Sequence, residues 1–438
     1  MRIAGARRDS SRLFPAFLGA TLMSVYIVGG GRVLSGELRV GGAKNSALKI
    51  LAAALMHNGV SVIHDCPLIS DVFVTIEILE SLGCVVDMRG HTVTVDASAV
   101  AGCHVPARLA NRMRSSIILL GPLMGRFGCA DVAMPGGCTL GDRKIDMHLD
   151  ALGAMGASYT FDGERLLFQS NGLRGADIRF PSVSVGATEN AMLAAVLADG
   201  VTVIRGAAQE PEIADIAAFL NAMGADVSGA GTSTVTIRGV RRLRDAEHTV
   251  VPDRIVAGTY LAAAAITGGE ITLTNVRASD LAPITDVLER MGCRVTVRGA
   301  AVTLTAPHAI RPIGRLATSP HPGFPTDMQS QIVSCLTLAQ GTSEVCETIF
   351  ADRFKHATEL IKMGADIEIE GGACRVRGVR RLRGMAVAGT ELRGGAALII
   401  AGLAAEGTTY VSGGEFVERG YEDIAGDLRS LGADARVE

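Results

Sequence analysis

The chain has 438 residues, of which 48% are hydrophobic and 20% charged, a balance that builds a globular protein with a large core and excludes a disordered or fibrous one. A formal net charge of −3 supplies no basic field for nucleic acid or an anionic membrane. Nine cysteines, with no C-x-x-C pair and no regular spacing, argue against a disulfide framework or zinc site and fit a reducing cytoplasm, the thiols serving as small buried apolar groups.

Arg7 and Arg8 precede an apolar run from near Leu13 through Met23 to Val28. The order resembles a signal peptide, but Pro15 interrupts it and no small-residue cleavage signal follows. The run leads straight into Tyr26-Ile27-Val28-Gly29, which reads as the first strand. Residues 1–23 are therefore expected to be an extension outside the fold, and Met23 is itself a candidate start. No other uninterrupted apolar stretch reaches the roughly 18 residues a membrane span needs.

The first unit is legible in detail. Lys44 to Met56 is apolar at helical spacing and Asn58-Gly59 stops it. Val60 to His64 alternates as a strand. Asp71 to Leu82 is a second helix ended by Gly83. Val85 to Met88 and Thr92 to Val95 are strands joined at Arg89-Gly90. The same order recurs, with later strand pairs Ser158–Phe161 and Leu166–Gln169, and Arg294–Val297 and Val302–Leu304.

A Gly preceded by Leu or Met closes a helix six times, at Gly83, Gly156, Gly224, Gly292, Gly364 and Gly432, in steps of 73, 68, 68, 72 and 68 residues. Between 36 and 42 residues before each Gly, an earlier helix opens near Lys44, Arg114, Thr188, Arg254, Asp327 and Arg393 in turn. The period is too long for common solenoids and suits small α/β units packed in groups. Three units per domain gives two domains.

Two tempting motifs fail. Gly41-Gly42-Ala43-Lys44-Asn45-Ser46 lacks the spacing of a phosphate loop. Gly29-Gly30-Gly31 follows a strand, but Leu34 stands where a dinucleotide fingerprint needs glycine. The histidines are scattered without a metal-ligand pair, so no metal or cofactor is expected.

Four features carry chemistry. Lys44 at a helix start, with Arg114, Arg254 and Arg393 in register, opposes the helix macrodipole four times, and an anionic ligand supplies a reason. Met134 to Arg143 is a Gly- and Pro-rich loop holding Cys138 near Arg143, a setting that lowers a thiol pKa and fits a general acid. Asp327 in Pro325-Thr326-Asp327-Met328 puts a carboxylate where other units have a cation; it reads as a base, a hydroxyl acceptor or an ordinary helix cap. Arg419 in Arg419-Gly420-Tyr421-Glu422 is a cation at the start of the last unit's second helix, and Phe350-Ala351-Asp352-Arg353 holds the matching place one unit earlier.

Eight segments in order resemble the UDP-N-acetylglucosamine 1-carboxyvinyltransferases, a branch of the enolpyruvyl transferases. They are Gly42-Ala43-Lys44-Asn45, Met113-Arg114-Ser115-Ser116, Pro135-Gly136-Gly137-Cys138, Ser184-Val185-Gly186-Ala187-Thr188, Glu210-Pro211-Glu212, Pro252-Asp253-Arg254, Phe324-Pro325-Thr326-Asp327-Met328-Gln329 and Arg419-Gly420-Tyr421-Glu422. The resemblance implies an α/β fold of two inside-out α/β barrel domains, each of three repeated βαβαββ units. One domain would combine 24–43 with 252–438 and carry Asp327, Arg393 and Arg419. The other would span 44–251 and carry Lys44 and the Cys138 loop.

It also implies the reaction: enolpyruvyl transfer from phosphoenolpyruvate to the 3-hydroxyl of UDP-N-acetylglucosamine, releasing phosphate, as the first committed step of peptidoglycan synthesis. Cys138 matches the loop cysteine that protonates the methylene and that fosfomycin alkylates. Lys44, Asn45, Arg143, Arg393 and Arg419 match phosphoenolpyruvate-binding positions. Asp327 matches the carboxylate facing the sugar hydroxyl. Arg114, Arg143, Lys144, Ile145, Asp146, Met147, Ser182, Val183, Ser184, Val185 and Ile349 match positions that hold UDP-N-acetylglucosamine. Two departures stand out: Ser182 replaces a lysine found in some members, and Glu391 replaces a common aspartate. Transfer to shikimate 3-phosphate or another nucleotide sugar, and a catalytically silent binding protein, are the rival readings.

Overall fold

The computed structural model describes residues 24–134 and 144–438. The expected extension at 1–23, and the loop carrying Cys138 and Arg143, lie outside the described residues.

The six repeating glycines terminate six helices in one way. Ser70–Ser81, Asp146–Ala154, Pro211–Ala222, Ala278–Arg290, Lys355–Lys362 and Ile424–Ser430 are each followed by a cap residue and then a Gly whose φ lies between 94° and 105°. A Cβ in that left-handed region costs roughly 1–2 kcal/mol, which Gly avoids. The next residue sends its N–H back five positions: Cys84 to Leu79 and Ala157 to Leu152 at 3.0 Å, Ala433 to Leu428 at 2.9 Å. This is the Schellman closure, and it turns the chain sharply into the following strand.

The other helix of each unit is apolar on all sides and therefore buried. Arg254–Thr267, Gln329–Leu336 and Leu392–Ala404 pack against one another in one half of the molecule. In the other half, Leu120–Phe127 packs on Val185–Ala195 and on the turn Ala54–Met56 that extends Lys44–Ala53. One hydrophobic cluster runs from Ala43 to Val251. The second joins Tyr26, Val28, Leu34 and Val40 to residues from Ile255 onward.

Among the described residues six sheets enclose these helices, five of four strands and one of three, so the helices lie inside and the sheets outside. Tyr26–Gly29 forms the expected first strand, yet it completes the last unit, lying antiparallel between Thr408–Ser412 and Asp434–Val437. Ser35–Arg39 pairs with Glu270–Thr274, and Ala246–Thr249 pairs with Val60–His64. The chain thus crosses between halves twice, after residue 40 and after residue 249. The crossings lie side by side: Ala43 N–H bonds Val251 O at 2.7 Å and Asp253 N–H bonds Gly41 O at 2.9 Å.

Some expectations need correction. Cys103 and Cys129 form a disulfide, against the expectation of unpaired thiols. Residues 103–105 lie along the Cys129–Ala133 strand, with Asp131 N–H on Cys103 O at 2.9 Å and Val105 N–H on Asp131 O at 2.8 Å. That tertiary approach has no signature in the spacing. The six free cysteines among the described residues are buried, and burial pushes the Cys66, Cys84, Cys293 and Cys374 thiols up to about 12. Arg114 opens a 3-10 turn, Arg114–Leu119, before its α-helix. The third unit's helix starts at Val185, capped by Ser184, so Thr188 sits inside it. Asp327 lies in a 3-10 turn, Thr326–Met328, ahead of the α-helix. Arg419 opens no helix; it lies between Gly414–Val417 and Ile424–Ser430, whose N-cap is Asp423.

Gly121 shows how close the inner helices come. A Cβ there would stand 2.6 Å from Asn190 O and 2.9 Å from Leu193 Cβ. Intrinsic propensity favours Gly→Ala in a helix by about 1 kcal/mol, but the obstacle is backbone and cannot rotate away. Gly121→Ala is expected to destabilise the protein by about 1–3 kcal/mol, read as a lower urea midpoint in far-UV circular dichroism.

Candidate active site

A cleft of about 960 Å³ is lined by residues from both halves. Its charges are held as carboxylate-bridged sets. Lys44, in the first turn of its helix, is buried, with Nζ 2.8 Å from Asp71 Oδ2. The other half reaches the same carboxylate: Arg419 Nε is 2.9 Å from Asp71 Oδ1 and Nη2 is 3.2 Å from Oδ2. Burial pushes the Lys44 pKa down to about 8, with Asp71 opposing and Arg419 and Arg393 adding to the fall. Burial would raise the Asp71 carboxyl, but Lys44 and Arg419 hold it below its ordinary range.

The second set surrounds Asp327. Arg353 Nη2 donates to Oδ1 at 2.7 Å and Arg393 Nη2 stands 3.2 Å from Oδ2. Burial works to raise this carboxyl, and Arg353, Arg393 and Arg254 hold it far below the usual carboxylate range. Thr326 Oγ1 donates to Glu347 at 2.7 Å and accepts from Arg353 Nη1 at 2.9 Å, which fixes the loop. Arg393 lies over the Tyr421 ring, 5.5 Å from its centroid. Glu391 caps the Leu392–Ala404 helix through the Arg393 N–H at 2.8 Å and the Gly394 N–H. The longer side chain therefore still places Arg393 at a capped helix start.

A third wall comes from the first half. Arg114, Lys144, Ile145, Met147, Val183, Ser184 and Val185 line the cleft, with Ile349 opposite. Asn45 lines it beside Lys44. His148 is buried here; its Nδ1 accepts from Asn190 Nδ2 at 2.7 Å, and burial with Arg114 pushes its pKa down to about 4, so the ring is neutral. Asp146 and Ser182 are not among the lining residues. Both are exposed, and the Ser182 hydroxyl lies 3.9 Å from Met147 Sδ. Cys138 and Arg143 lie outside the described residues.

The sequence reading found Lys44, Arg393 and Arg419 as cations without finding Asp71, which organises two of them. An acidic residue in the first turn of an amphipathic helix is ordinary, so Asp71 gave no signal. Arg353 was visible only as a repeat position. Two further buried pairs line the cleft, Arg254–Glu212 at 3.2 Å and Lys49–Glu189 at 3.4 Å. The sequence reading had Arg254 as a cation in register but not its pairing with Glu212, and Lys49 and Glu189 were hidden as single charges on apolar helices. Among the described residues no cluster of His, Cys, Asp and Glu could hold a metal ion, and no helix is long and apolar enough to cross a membrane.

A family model described as EPSP synthase (3-phosphoshikimate 1-carboxyvinyltransferase) matches residues 28–428. UDP-N-acetylglucosamine 1-carboxyvinyltransferase 2 of Caldanaerobacter subterraneus subsp. tengcongensis is 49% identical over 412 residues, covering 94% of this chain and 99% of the relative. UDP-N-acetylglucosamine 1-carboxyvinyltransferase 1 of Symbiobacterium thermophilum is 48% identical over 417 residues, covering 93% and 94%. Among solved structures, the enolpyruvyl transferase NikO from Streptomyces tendae superposes with a TM-score of 0.84 at 28% identity, covering 95% of this chain and 99% of that one. EPSP synthase from Acinetobacter baumannii gives 0.73 at 18% identity, covering 95% and 100%, and shares the fold. A family model that spans almost the whole chain and relatives close to half identical establish that this protein belongs to the enolpyruvyl transferase family, with the UDP-N-acetylglucosamine 1-carboxyvinyltransferases among its relatives.

Proposed function

We propose that this protein transfers the enolpyruvyl group of phosphoenolpyruvate to the 3-hydroxyl of UDP-N-acetylglucosamine and releases phosphate, the first committed step of peptidoglycan and hence cell-wall synthesis. The observation that carries this reading is the cleft in which Lys44 from one half and Arg419 from the other share one carboxylate. An arginine fork beside a lysine ammonium is a setting suited to a phosphate dianion. Both substrates are charged and do not cross membranes unaided, so the reading places the enzyme in the cytoplasm. It also takes 24–43 with 252–438 as one domain and 44–251 as the other, in line with the two hydrophobic clusters.

The reaction has two stages. The sugar oxygen bonds to C2 of phosphoenolpyruvate while a proton adds to C3. The C2–O bond to phosphate then breaks, and C3 loses a proton to restore the double bond. Lys44, Asn45, Arg393 and Arg419 hold the anions, and fixed cations in a cleft shielded from water stabilise the addition intermediate. Arg143 joins them in this reading. Cys138 supplies the proton to C3 and is the thiol fosfomycin would alkylate. Arg114, Lys144 to Met147, Ser182 to Val185 and Ile349 hold the nucleotide sugar, with Ser184 and Val185 at a helix start suited to an anion.

Asp327 has a constrained part. A carboxylate held so far below its usual range is a weak base. Its first role is to accept a hydrogen bond from the sugar hydroxyl and align it. It gains basicity once the substrate's anionic groups draw Arg393 from it. Domain closure over both substrates would assemble these groups and exclude water.

The decisive assay mixes protein and phosphoenolpyruvate with UDP-N-acetylglucosamine or with shikimate 3-phosphate and follows phosphate. Release is expected with the first acceptor alone; silence with it rejects the reading. In the same assay Asp327→Asn is expected to lower kcat by roughly 10²–10⁴-fold while leaving KM nearly unchanged. Lys44 gives a pH signature. Its ammonium is charged below a pKa of about 8 and neutral above it, so affinity for phosphoenolpyruvate should fall as pH rises through that value. Lys44→Arg should flatten the alkaline fall, and a fall of equal steepness in that variant would assign it elsewhere.

A further inference from the structure

The cleft is also lined by a polar pair that the reaction above does not use. Lys49 and Glu189 are both buried, at 8% and 1% exposure. Lys49 belongs to the helix that presents Lys44 and Asn45. Glu189 belongs to the helix opened by Ser184 and Val185. Lys49 Nζ donates to Asn45 O at 2.9 Å and stands 3.4 Å from Glu189 Oε1. That oxygen receives no hydrogen bond among the described residues. The pair thus ties the two helix starts assigned to the two substrates.

Its surroundings are too acidic to be only a brace. Glu210 and Glu212 add to the negative charge near Glu189. Glu212 is tied to Arg254 at 3.2 Å, and Glu210 accepts the His321 N–H at 3.3 Å. From the adjoining elements His148 and Arg114 also line the cleft, and His148 is neutral. Burial, with Glu212 and Glu210 adding and Lys49 opposing, pushes the Glu189 carboxyl up to about 7. A buried ion pair is often no more stabilising than an apolar pair of the same volume, so stability alone does not explain these two residues.

We propose that Glu189 takes up a proton from solvent when the anionic nucleotide sugar binds, releasing the charge of Lys49 from its counter-ion toward the bound diphosphate. The pair then positions substrate and links its binding to pH. The inference rests on reading the cleft as a nucleotide-sugar site. An incoming anion raises a neighbouring carboxyl pKa, so uptake is the sign required.

The test is calorimetric titration of UDP-N-acetylglucosamine into the whole protein, without phosphoenolpyruvate, in buffers of different ionisation enthalpy. The diphosphate of this ligand does not titrate near neutrality, so any linked proton belongs to the protein. Near neutral pH, uptake of about half a proton per ligand is expected. Glu189→Gln, which keeps the shape, should abolish it. Lys49→Met combined with Glu189→Leu should keep or raise the melting temperature, remove the uptake and weaken binding about tenfold. Undiminished uptake in Glu189→Gln, or unchanged affinity in the folded double variant, overturns the inference. Binding by the unmodified protein without proton uptake overturns it alone, whereas no binding at all overturns the nucleotide-sugar reading beneath it.

Discussion

Asp253 stands where the two chain crossings meet, and the geometry of the cleft depends on it. Its Oδ1 accepts from the Ile255 and Val256 N–H groups at 2.8 and 3.0 Å, capping one helix. Its Oδ2 accepts from the Lys44 N–H at 3.1 Å, at the start of another. One carboxylate therefore fixes two helix starts in opposite halves, 209 residues apart in sequence. A helix N-terminus favours negative charge, yet each of these helices opens with a cation. Asp253 supplies the missing anion from behind and leaves both cations to face forward.

The same compensation recurs toward the substrate side. Glu391 caps the helix that opens with Leu392 and Arg393. Asp71 engages Lys44 and Arg419, and Asp327 engages Arg353 and Arg393. Each of these cations is bonded to a carboxylate, which matters because uncompensated like charges in a buried cleft would push it apart. Asp71 bridges the halves, so the contact that organises the cations also draws the two walls together.

The fold was legible because its rules are local and repeated. The six glycines could be found by spacing, since each marks a helix end that only a residue without Cβ adopts easily. The first strand, the first unit and two later strand pairs were readable from alternation and turn residues. What escaped was set by distance in sequence. The strand Tyr26–Gly29 pairs with residues near the other end of the chain. Cys103 meets Cys129 through backbone pairing that leaves no spacing pattern. Within the cleft, the cations stood out because they break the apolar run at a helix start. Asp327 stood out with them, but Asp71 and Glu189 did not, because they look like ordinary helix residues until the partner helix is in place.

These paired charges change what binding costs. A cleft of bare cations would bind any phosphate tightly and hold product as firmly as substrate. On the proposed reading, an anion held by Lys44, Arg419 or Arg393 competes with a carboxylate already bonded to that cation. The net affinity is the difference between two strong interactions, so ground-state binding stays moderate while the cations remain fixed in place. Interactions that strengthen only as charge develops at the reacting carbon then favour the addition intermediate over the substrates. On the proposed reading Asp327 illustrates the exchange: Arg393, one of the arginines that make it a weak base in the unliganded cleft, is the group that the substrate's anions draw away. On that reading its basicity rises in the complex, at the stage when the sugar hydroxyl must lose its proton.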